Sequence, residues 1–384
     1  MKRITALLLA AVLLCCLTAC GKSTEEPQPT TEATTQAPTE AGALQTIADA
    51  VIRQSGFEGV VMITQNGEVL AQSAVGNTNR EPNAPVTPDT RFCVASVSKQ
   101  FAATAIMLLQ EQGLLSTSDT IDAYFPDFVY GGSITIQNLL SMRSGLFTGD
   151  GIVPNSGEAP SLVPEEYGFS YDNTMEENRQ AALAWLFEQP LNFEPGTRYE
   201  YSNSNYFLLA QIVEQVAGMP YEDFVRQRIF EPLGMNRSGF IHELWHEDDV
   251  ALPPAADAEN FEAPIASGVL QGAADLVTTA GDIDKWLTAL RQKTLLSEES
   301  YAEMTQDYSP DDGKYGYGLM LHMPNGIGHT GMLSAYTSLA YTRPDKGYNF
   351  FAVSNNKASV SDELLQLATM LAGSNGAEKA ILNS

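Results

Sequence analysis

The stretch that decides the reading is Arg91–Gly113, RFCVASVSKQFAATAIMLLQEQG. From Phe101 onward it is dominated by Ala, Ile, Met and Leu, and nothing breaks a helix before Gly113, a residue suited to ending one. Ser96, Val97, Ser98 and Lys99 stand at the mouth of that helix as Ser-x-x-Lys. Positions three apart share a helix face at roughly 5–6 Å between β-carbons, so Lys99 stands beside Ser96. The first turn also leaves N–H groups unpaired and carries a partial positive charge. A hydroxyl held there has a cation to help deprotonate it and N–H donors for an oxyanion, the layout of an activated serine nucleophile. A second match, Ser354–Lys357, follows the apolar run Phe350–Val353 and passes through Asn355 and Asn356, the pattern of a strand running into a turn.

At 384 residues, 44% of them hydrophobic, the chain can bury a large core in one big domain or two intimate subdomains. A net charge of −26 argues against nucleic acid, whose phosphates call for basic surface, and disfavours docking of the protein surface on an anionic membrane. At the N-terminus, Lys2 and Arg3 precede the apolar run Ile4–Leu17, which is too short for a comfortable transmembrane helix and fits a signal-peptide core. The run ends Leu17-Thr18-Ala19-Cys20-Gly21 and resembles the bacterial lipobox. That resemblance implies residues 1–19 as a lipoprotein signal peptide and Cys20 as a lipidated N-terminus. The protein would then be extracytoplasmic, anchored to the outer face of the cytoplasmic membrane. Residues 20–42, rich in Thr, Pro and Glu, cannot bury enough surface to fold and read as a disordered tether. With Cys20 lipidated, Cys93 is the one thiol left in the domain and no internal disulfide can form; Cys93 reads as a small core residue.

Between residues 43 and 374 lies the expected folded domain, followed by a tail over 375–384. Leu44–Gln54 has helical spacing, and Glu58–Val75 reads as an antiparallel hairpin around Asn66-Gly67. Ser133–Leu140, Glu176–Phe187, Tyr206–Ala217, Tyr221–Ile229, Ala273–Leu290 and Ser361–Leu371 read as helices. Phe147–Met175 is loop-like, long enough to suggest a functional segment over the site, and Asp248–Phe261 is polar and weakly ordered. Gly316–Met320, Ile327–His329, Ala335–Thr342 and Asn349–Val353 read as strands. The expected fold class is α+β: an antiparallel sheet built from N- and C-terminal segments, flanked by helices, with a mostly helical inserted subdomain.

Two further clusters carry polar groups that make little sense as surface decoration. Tyr201-Ser202-Asn203 can project a phenol and an amide from a polar turn just before a helix. Gly328-His329-Thr330-Gly331 places glycines around a His-Thr pair, so that a substrate or another backbone can approach a strand edge closely.

Ser96-x-x-Lys99, Tyr201-x-Asn203 and His329-Thr330-Gly331 follow the order of motifs in serine β-lactamases and penicillin-binding proteins. Tyr-x-Asn, and His in place of Lys in the third motif, resemble the class C-like branch, which includes D-alanyl-D-alanine carboxypeptidases, D-aminopeptidases and esterases. Asn192–Tyr206, Ile134–Leu146, Pro232–Met235 and Tyr315–Leu319 also look like family positions, so the resemblance spans roughly Ala43 to Ala372. It implies the β-lactamase/transpeptidase-like fold, with Ser96 as nucleophile and Lys99 and Tyr201 as proton-handling groups. Asn203, His329, Thr330 and Gly331 would bind substrate, and the backbone N–H groups of Ser96 and Met332 would form the oxyanion hole. No metal or cofactor is implied, and His242, His246 and His322 lack metal-ligand spacing.

Met142-Arg143-Ser144-Gly145 departs from a His-Thr-Ser-Gly segment frequent in the family. His329 departs from the usual lysine, and a mostly neutral imidazole is a poorer anchor for a substrate carboxylate. β-Lactam hydrolysis is accordingly less expected than action on a peptide, a D-amino-acid amide or an ester. A D-alanyl-D-alanine carboxypeptidase-like peptidase on cell-wall peptides leads; an esterase or class C-like β-lactamase is the alternative. A non-catalytic cell-wall binding or sensor lipoprotein is the reading from another class.

Overall fold

The computed structural model describes residues 56–356 apart from 81–83, 148–162, 164, 171, 255–267, 311–312 and 324, together with 42, 44–46, 48, 49 and 52. The signal peptide, Cys20, most of the tether, the helix expected at Ser361–Leu371, Lys357 of the second Ser-x-x-Lys match and most of the loop 147–175 lie outside the described residues. No helix among the described residues is long and apolar enough to cross a membrane.

The first strands, β1 (Gly59–Gln65) and β2 (Glu68–Val75), form the expected hairpin. Asn66 and Gly67 both have positive φ (51° and 89°), the two-residue turn whose twist matches the strands it joins. Three short strands follow, β3 (Phe92–Cys93), β4 (Gly239–Phe240) and β5 (Leu276–Thr278), forming a small sheet in the order β3-β5-β4. The last three are β6 (Ile327–Leu333), β7 (Tyr336–Arg343) and β8 (Tyr348–Ser354). They join the hairpin in a five-stranded antiparallel sheet ordered β2-β1-β8-β7-β6. The two ends of the described domain thus meet in mid-sheet, with Gly59 opposite Ser354.

Both faces of this sheet are covered, so its central strands are apolar without alternation. Val60, Met62, Phe351 and Val353 pack into the main core, whereas Val61, Ile63, Phe350 and Ala352 pack with Leu44, Ala48 and Ile52 on the other side. Leu44, Ala48 and Ile52 are helical, as their spacing predicts.

The middle of the chain is mostly helical. α1 (Lys99–Glu111) is buried along most of its length, α2 (Met175–Glu188) opens on a Thr174–Glu177 capping box, and α3 (Asn203–Ala217) ends at Gly218 with φ 66°. α4 (Tyr221–Val225) continues into a π-helical turn, Arg226–Phe230, and α5 (Ala280–Gln292) lies against the large sheet.

Three expectations needed correction. Ala273–Leu290 is not one helix: 273–275 turn, 276–278 form β5, and α5 starts only after Thr279, whose side chain accepts from the Asp282 N–H. The cap pattern Thr279–Asp282 marks that start, while apolar spacing alone masks it. Gly316–Met320 is a turn closed by the Tyr315–Met320 bridge, because Gly318 takes φ 67° where it packs on the Lys99 backbone. β6 runs four residues past His329 to Leu333, which places the His-Thr-Gly motif inside an edge strand.

Gly145 takes φ 77°, and a β-carbon there would run into the Phe193 carbonyl. Gly145→Ala is expected to lower stability by about 1–3 kcal/mol, read as a lower urea midpoint; an unchanged midpoint would contradict the packing described.

Candidate active site

Ser96 sits on a 3-10 turn, Ala95–Ser98, that runs directly into α1. The preceding Ala95 has φ 49°, an uncommon backbone state for a residue with a side chain. That turn is tied on two sides. The Ser98 hydroxyl donates to Ala95 O (2.6 Å) and accepts from the Leu276 N–H (2.9 Å), while Ser338 Oγ donates to Val94 O (2.7 Å). The nucleophile turn is therefore held between β5 and the large sheet.

Lys99 is fully buried, and its Nζ donates to Asn203 Oδ1 (2.7 Å) and Ala273 O (2.8 Å) and lies 3.1 Å from Ser96 Oγ. Burial pushes its ammonium well below the ordinary lysine pKa, opposed in part by Asp275. Tyr201 presents its ring face 4.9 Å from the same Nζ, and its phenol is hydrogen-bonded to Ser96. Burial raises the Tyr201 pKa above its ordinary value, so the phenol keeps its proton at neutral pH.

The Tyr201–Asn203 segment is shaped by Met142–Gly145, the segment that departs from the family pattern. Met142 (φ 60°) accepts from the Glu200 N–H with its carbonyl (2.9 Å) and from the Ser202 N–H with its sulfur (3.4 Å). Ser144 Oγ donates to Asn205 Oδ1 (2.5 Å) in the first turn of α3. Asn203 opens α3, three residues earlier than its apolar spacing suggests, and its Oδ1 turns to Lys99.

β6 closes the site from the opposite side. A β-carbon at Gly331 would collide with Val94 O and Ser338 Oγ, so only glycine lets this strand lie against the nucleophile turn. β6 is an edge strand, and Gly328 O accepts from the Met320 N–H (2.8 Å) on the side away from β7. Backbone direction alternates along a strand, so the N–H groups of Thr330 and Met332 point to that same open edge. The Met332 side chain is 63% exposed there.

His329 does not face the opening. Its ring is fully buried, with Nε2 2.9 Å from Tyr315 Oη and Nδ1 against the Thr330 carbonyl. A carbonyl only accepts, so Nδ1 carries the proton and Nε2 accepts from the Tyr315 hydroxyl. Burial, reinforced by Lys99, drives the imidazole pKa down to about 3. The expected direct substrate contact of this side chain is replaced by a structural one: it braces the strand whose Thr330 and Gly331 border the site.

Ser96, Lys99, Tyr201 and Asn203 thus converge with the edge of β6, although they come from three separate parts of the sequence. A family model described as beta-lactamase matches residues 43–373. The chain belongs to the beta-lactamase family. PbpX of Bacillus subtilis, which carries a penicillin-binding-protein name, is 30% identical over 75% of this chain and 68% of its own. The D-aminopeptidase of Brucella anthropi is 27% identical, matching 84% of this chain and 61% of its own length. The crystal structure of D-amino acid amidase from Ochrobactrum anthropi SV3 superposes with a TM-score of 0.67 at 26% identity. That match covers 85% of this chain and 98% of the amidase. This beta-lactamase-family protein is a serine hydrolase with an α+β fold.

Two contributors escape a reading of the sequence. The Ala273 carbonyl reaches Lys99 from a segment whose apolar spacing looks helical, and backbone acceptors leave no side-chain signature. Tyr315 supports His329 from a glycine-rich turn, and only the repeated Tyr-Gly of Tyr315–Gly318 hints at it. Cys93, by contrast, is the inert core thiol expected: it is fully buried, donates to Ala274 O (3.6 Å), and burial pushes its pKa up to about 12.

With His329 neutral and its tautomer held, its ring nitrogens are expected to keep the Nδ1–H pattern from pH 8 to pH 4 in nitrogen-detected NMR. A titration near the ordinary imidazole value of about 6.5 would contradict the assignment.

Proposed function

We propose that this protein is an exported, membrane-tethered hydrolase that cleaves cell-wall peptides at D-alanine through an acyl-enzyme on Ser96, as a D-alanyl-D-alanine carboxypeptidase-like peptidase. The observation that carries the acyl-enzyme reading is the coordination of Lys99. Two acceptors, Asn203 Oδ1 and Ala273 O, take two N–H bonds of a neutral amine, and the remaining direction points at Ser96 Oγ. In a neutral amine that direction holds the lone pair, so Lys99 is the group placed to take the Ser96 proton.

The chemistry follows in two halves. As the proton passes to Lys99, Ser96 Oγ bonds to the substrate carbonyl carbon. The carbonyl oxygen becomes an oxyanion facing the N–H groups of Ser96 and Met332. Tyr201 then gives its phenolic proton to the leaving nitrogen, the C–N bond breaks, and the Lys99 ammonium reprotonates the phenolate. A water molecule attacks the acyl-enzyme by the reverse path and frees Ser96. Asn203 holds Lys99 through Oδ1, and Thr330 and Gly331 line the substrate's route along β6.

A second reading is favoured by one observation. His329 is neutral, buried and engaged at both ring nitrogens, so the third motif offers no positive charge for a substrate carboxylate. That disfavours recognition of a free C-terminus and favours D-aminoacyl amides or esters. It is consistent with the similarity to a D-aminopeptidase and a D-amino acid amidase.

A fluorescent fluorophosphonate is expected to label the wild type on Ser96 and not Ser96→Ala. Lys99→Ala should reduce turnover by about a thousandfold or more while leaving the thermal midpoint near that of wild type. Absence of labelling would favour the non-catalytic wall-binding alternative, and unchanged turnover would remove Lys99 from the mechanism. Assay of D-Ala-D-Ala peptides, D-amino-acid amides, short-chain esters and β-lactams separates the two readings: carboxypeptidase action requires release of free D-alanine from the peptides. For the tether, Cys20→Ala is expected to move the protein from the membrane fraction into the medium; retention would contradict lipidation.

A further inference from the structure

Between Tyr201 and Asn203 stands Ser202, buried, with its backbone N–H, its carbonyl and its hydroxyl all engaged. The N–H donates to Met142 Sδ (3.4 Å), the carbonyl accepts from Asn205 Nδ2 (3.2 Å), and the hydroxyl donates to Phe147 O (3.0 Å). Asn205 is itself held at both ends of its amide. Its Nδ2 also donates to Met142 Sδ (3.3 Å), and its Oδ1 accepts from Ser144 Oγ (2.5 Å). Met142, Ser144 and Asn205 are buried, so these bonds form a closed clasp around one residue of the backbone.

The clasp does not serve to start α3. Ser202 is the residue before that helix, where a serine side chain commonly accepts from an N–H of the first turn. Here the hydroxyl makes no such cap and goes to Phe147 instead. What the clasp fixes is the backbone of Ser202, which is extended (φ −143°, ψ 127°). In an extended chain the residues before and after a given one project to the same face, and the one between projects to the other. Ser202 thus turns to Phe147, while Tyr201 and Asn203 turn together to Lys99, with the ring centroid 4.9 Å and Oδ1 2.7 Å from Nζ. Tyr201 precedes the helix and lies in irregular chain, so its place beside Ser96 depends on Ser202 keeping this conformation.

We infer that Met142 and Asn205 are positioning residues for the Tyr201 phenol: by gripping the N–H and the carbonyl of Ser202 they hold the phenolic proton where the leaving nitrogen departs. This rests on the proton delivery by Tyr201 proposed above. Both residues act through Ser202. A thioether suits the position because it accepts from two N–H groups and has no proton of its own to donate.

The test uses the full chain and the acyl group that the wild type cleaves best as an amide in the substrate panel above. Its p-nitroanilide has a leaving nitrogen that needs a proton; its p-nitrophenyl ester has a leaving phenolate that does not. Met142→Leu keeps the volume and a side chain unbranched at Cβ at a position with φ 60°, but takes the acceptor from the Ser202 N–H. The anilide kcat is expected to fall about tenfold in Met142→Leu and about a hundredfold in Asn205→Ala. The ester kcat should stay within about threefold of wild type in both, because proton donation contributes little to its leaving group. In a Tyr201→Phe background, which has no phenolic proton to deliver, Met142→Leu is expected to leave the anilide-to-ester ratio unchanged. Equal falls on both substrates, unchanged rates, or the same change of ratio in the Tyr201→Phe background would overturn the assignment and leave the clasp a purely structural feature. Should Asn205→Ala fail to fold, Met142→Leu decides alone. A wild type that the fluorophosphonate does not label, or that cleaves no amide, would instead defeat the mechanism on which the inference rests.

Discussion

A primary amine is sunk into the protein interior and coordinated from three directions, and the rest of the site depends on it. Lys99 Nζ meets Ser96 from the 3-10 turn that leads into its helix, Asn203 from the start of α3 and Ala273 from the turn before β5. An unpaired buried ammonium would be prohibitively costly, so burial favours the neutral amine, whose two N–H bonds go to Asn203 Oδ1 and Ala273 O. Burial thus keeps the amine in its neutral form, with a lone pair available for the Ser96 proton. The same contacts join the nucleophile turn to two distant segments, Asn203 at the start of α3 and Ala273 before β5.

The edge of β6 is shaped by a parallel compromise. A strand must pass close enough to Ser96 to present N–H donors, and Gly331 permits that approach by having no side chain to collide with Val94 and Ser338. The residues on either side then carry the polar work. His329, turned inward, satisfies both ring nitrogens on Tyr315 and Thr330 and remains neutral. Thr330 and Met332 turn their backbone to the opening. Neutrality at His329 also limits the electrostatic penalty at Lys99, because a second cation in the same buried region would repel the first.

The family pattern and the local structure were readable at different depths. Ser96, Lys99, Tyr201 and Asn203 stood out because their spacing puts side chains on known faces, and the hairpin at Asn66-Gly67 followed from turn chemistry that few other dipeptides satisfy. The helix expected across Ala273–Leu290 failed at its first half for a tertiary reason. Ala273 and Ala274 are buried in the main core, and helical periodicity cannot be told from burial of another kind over so few residues. The strand expected over Ile327–His329 extends to Leu333 because pairing with β7 offsets the weak strand preference of Gly328 and Gly331.

What the sequence by itself determined is which residue types are available and in what order: a serine with a lysine one turn on, a tyrosine and an asparagine before a helix, and a glycine-flanked histidine in a strand-rich tail. Local sterics and periodicity carry that much, because they act over a few residues. The tertiary structure decided which atoms meet. Only folding brings the Ala273 carbonyl and Asn203 Oδ1 to the Lys99 amine. It also buries the His329 ring that the motif alone would place against substrate. These outcomes depend on contacts between residues far apart in the chain, as Lys99 and Asn203 are, on a turn that folds back as Tyr315 does onto His329, or on backbone atoms that every residue shares, and none of these leaves a mark in the order of side chains.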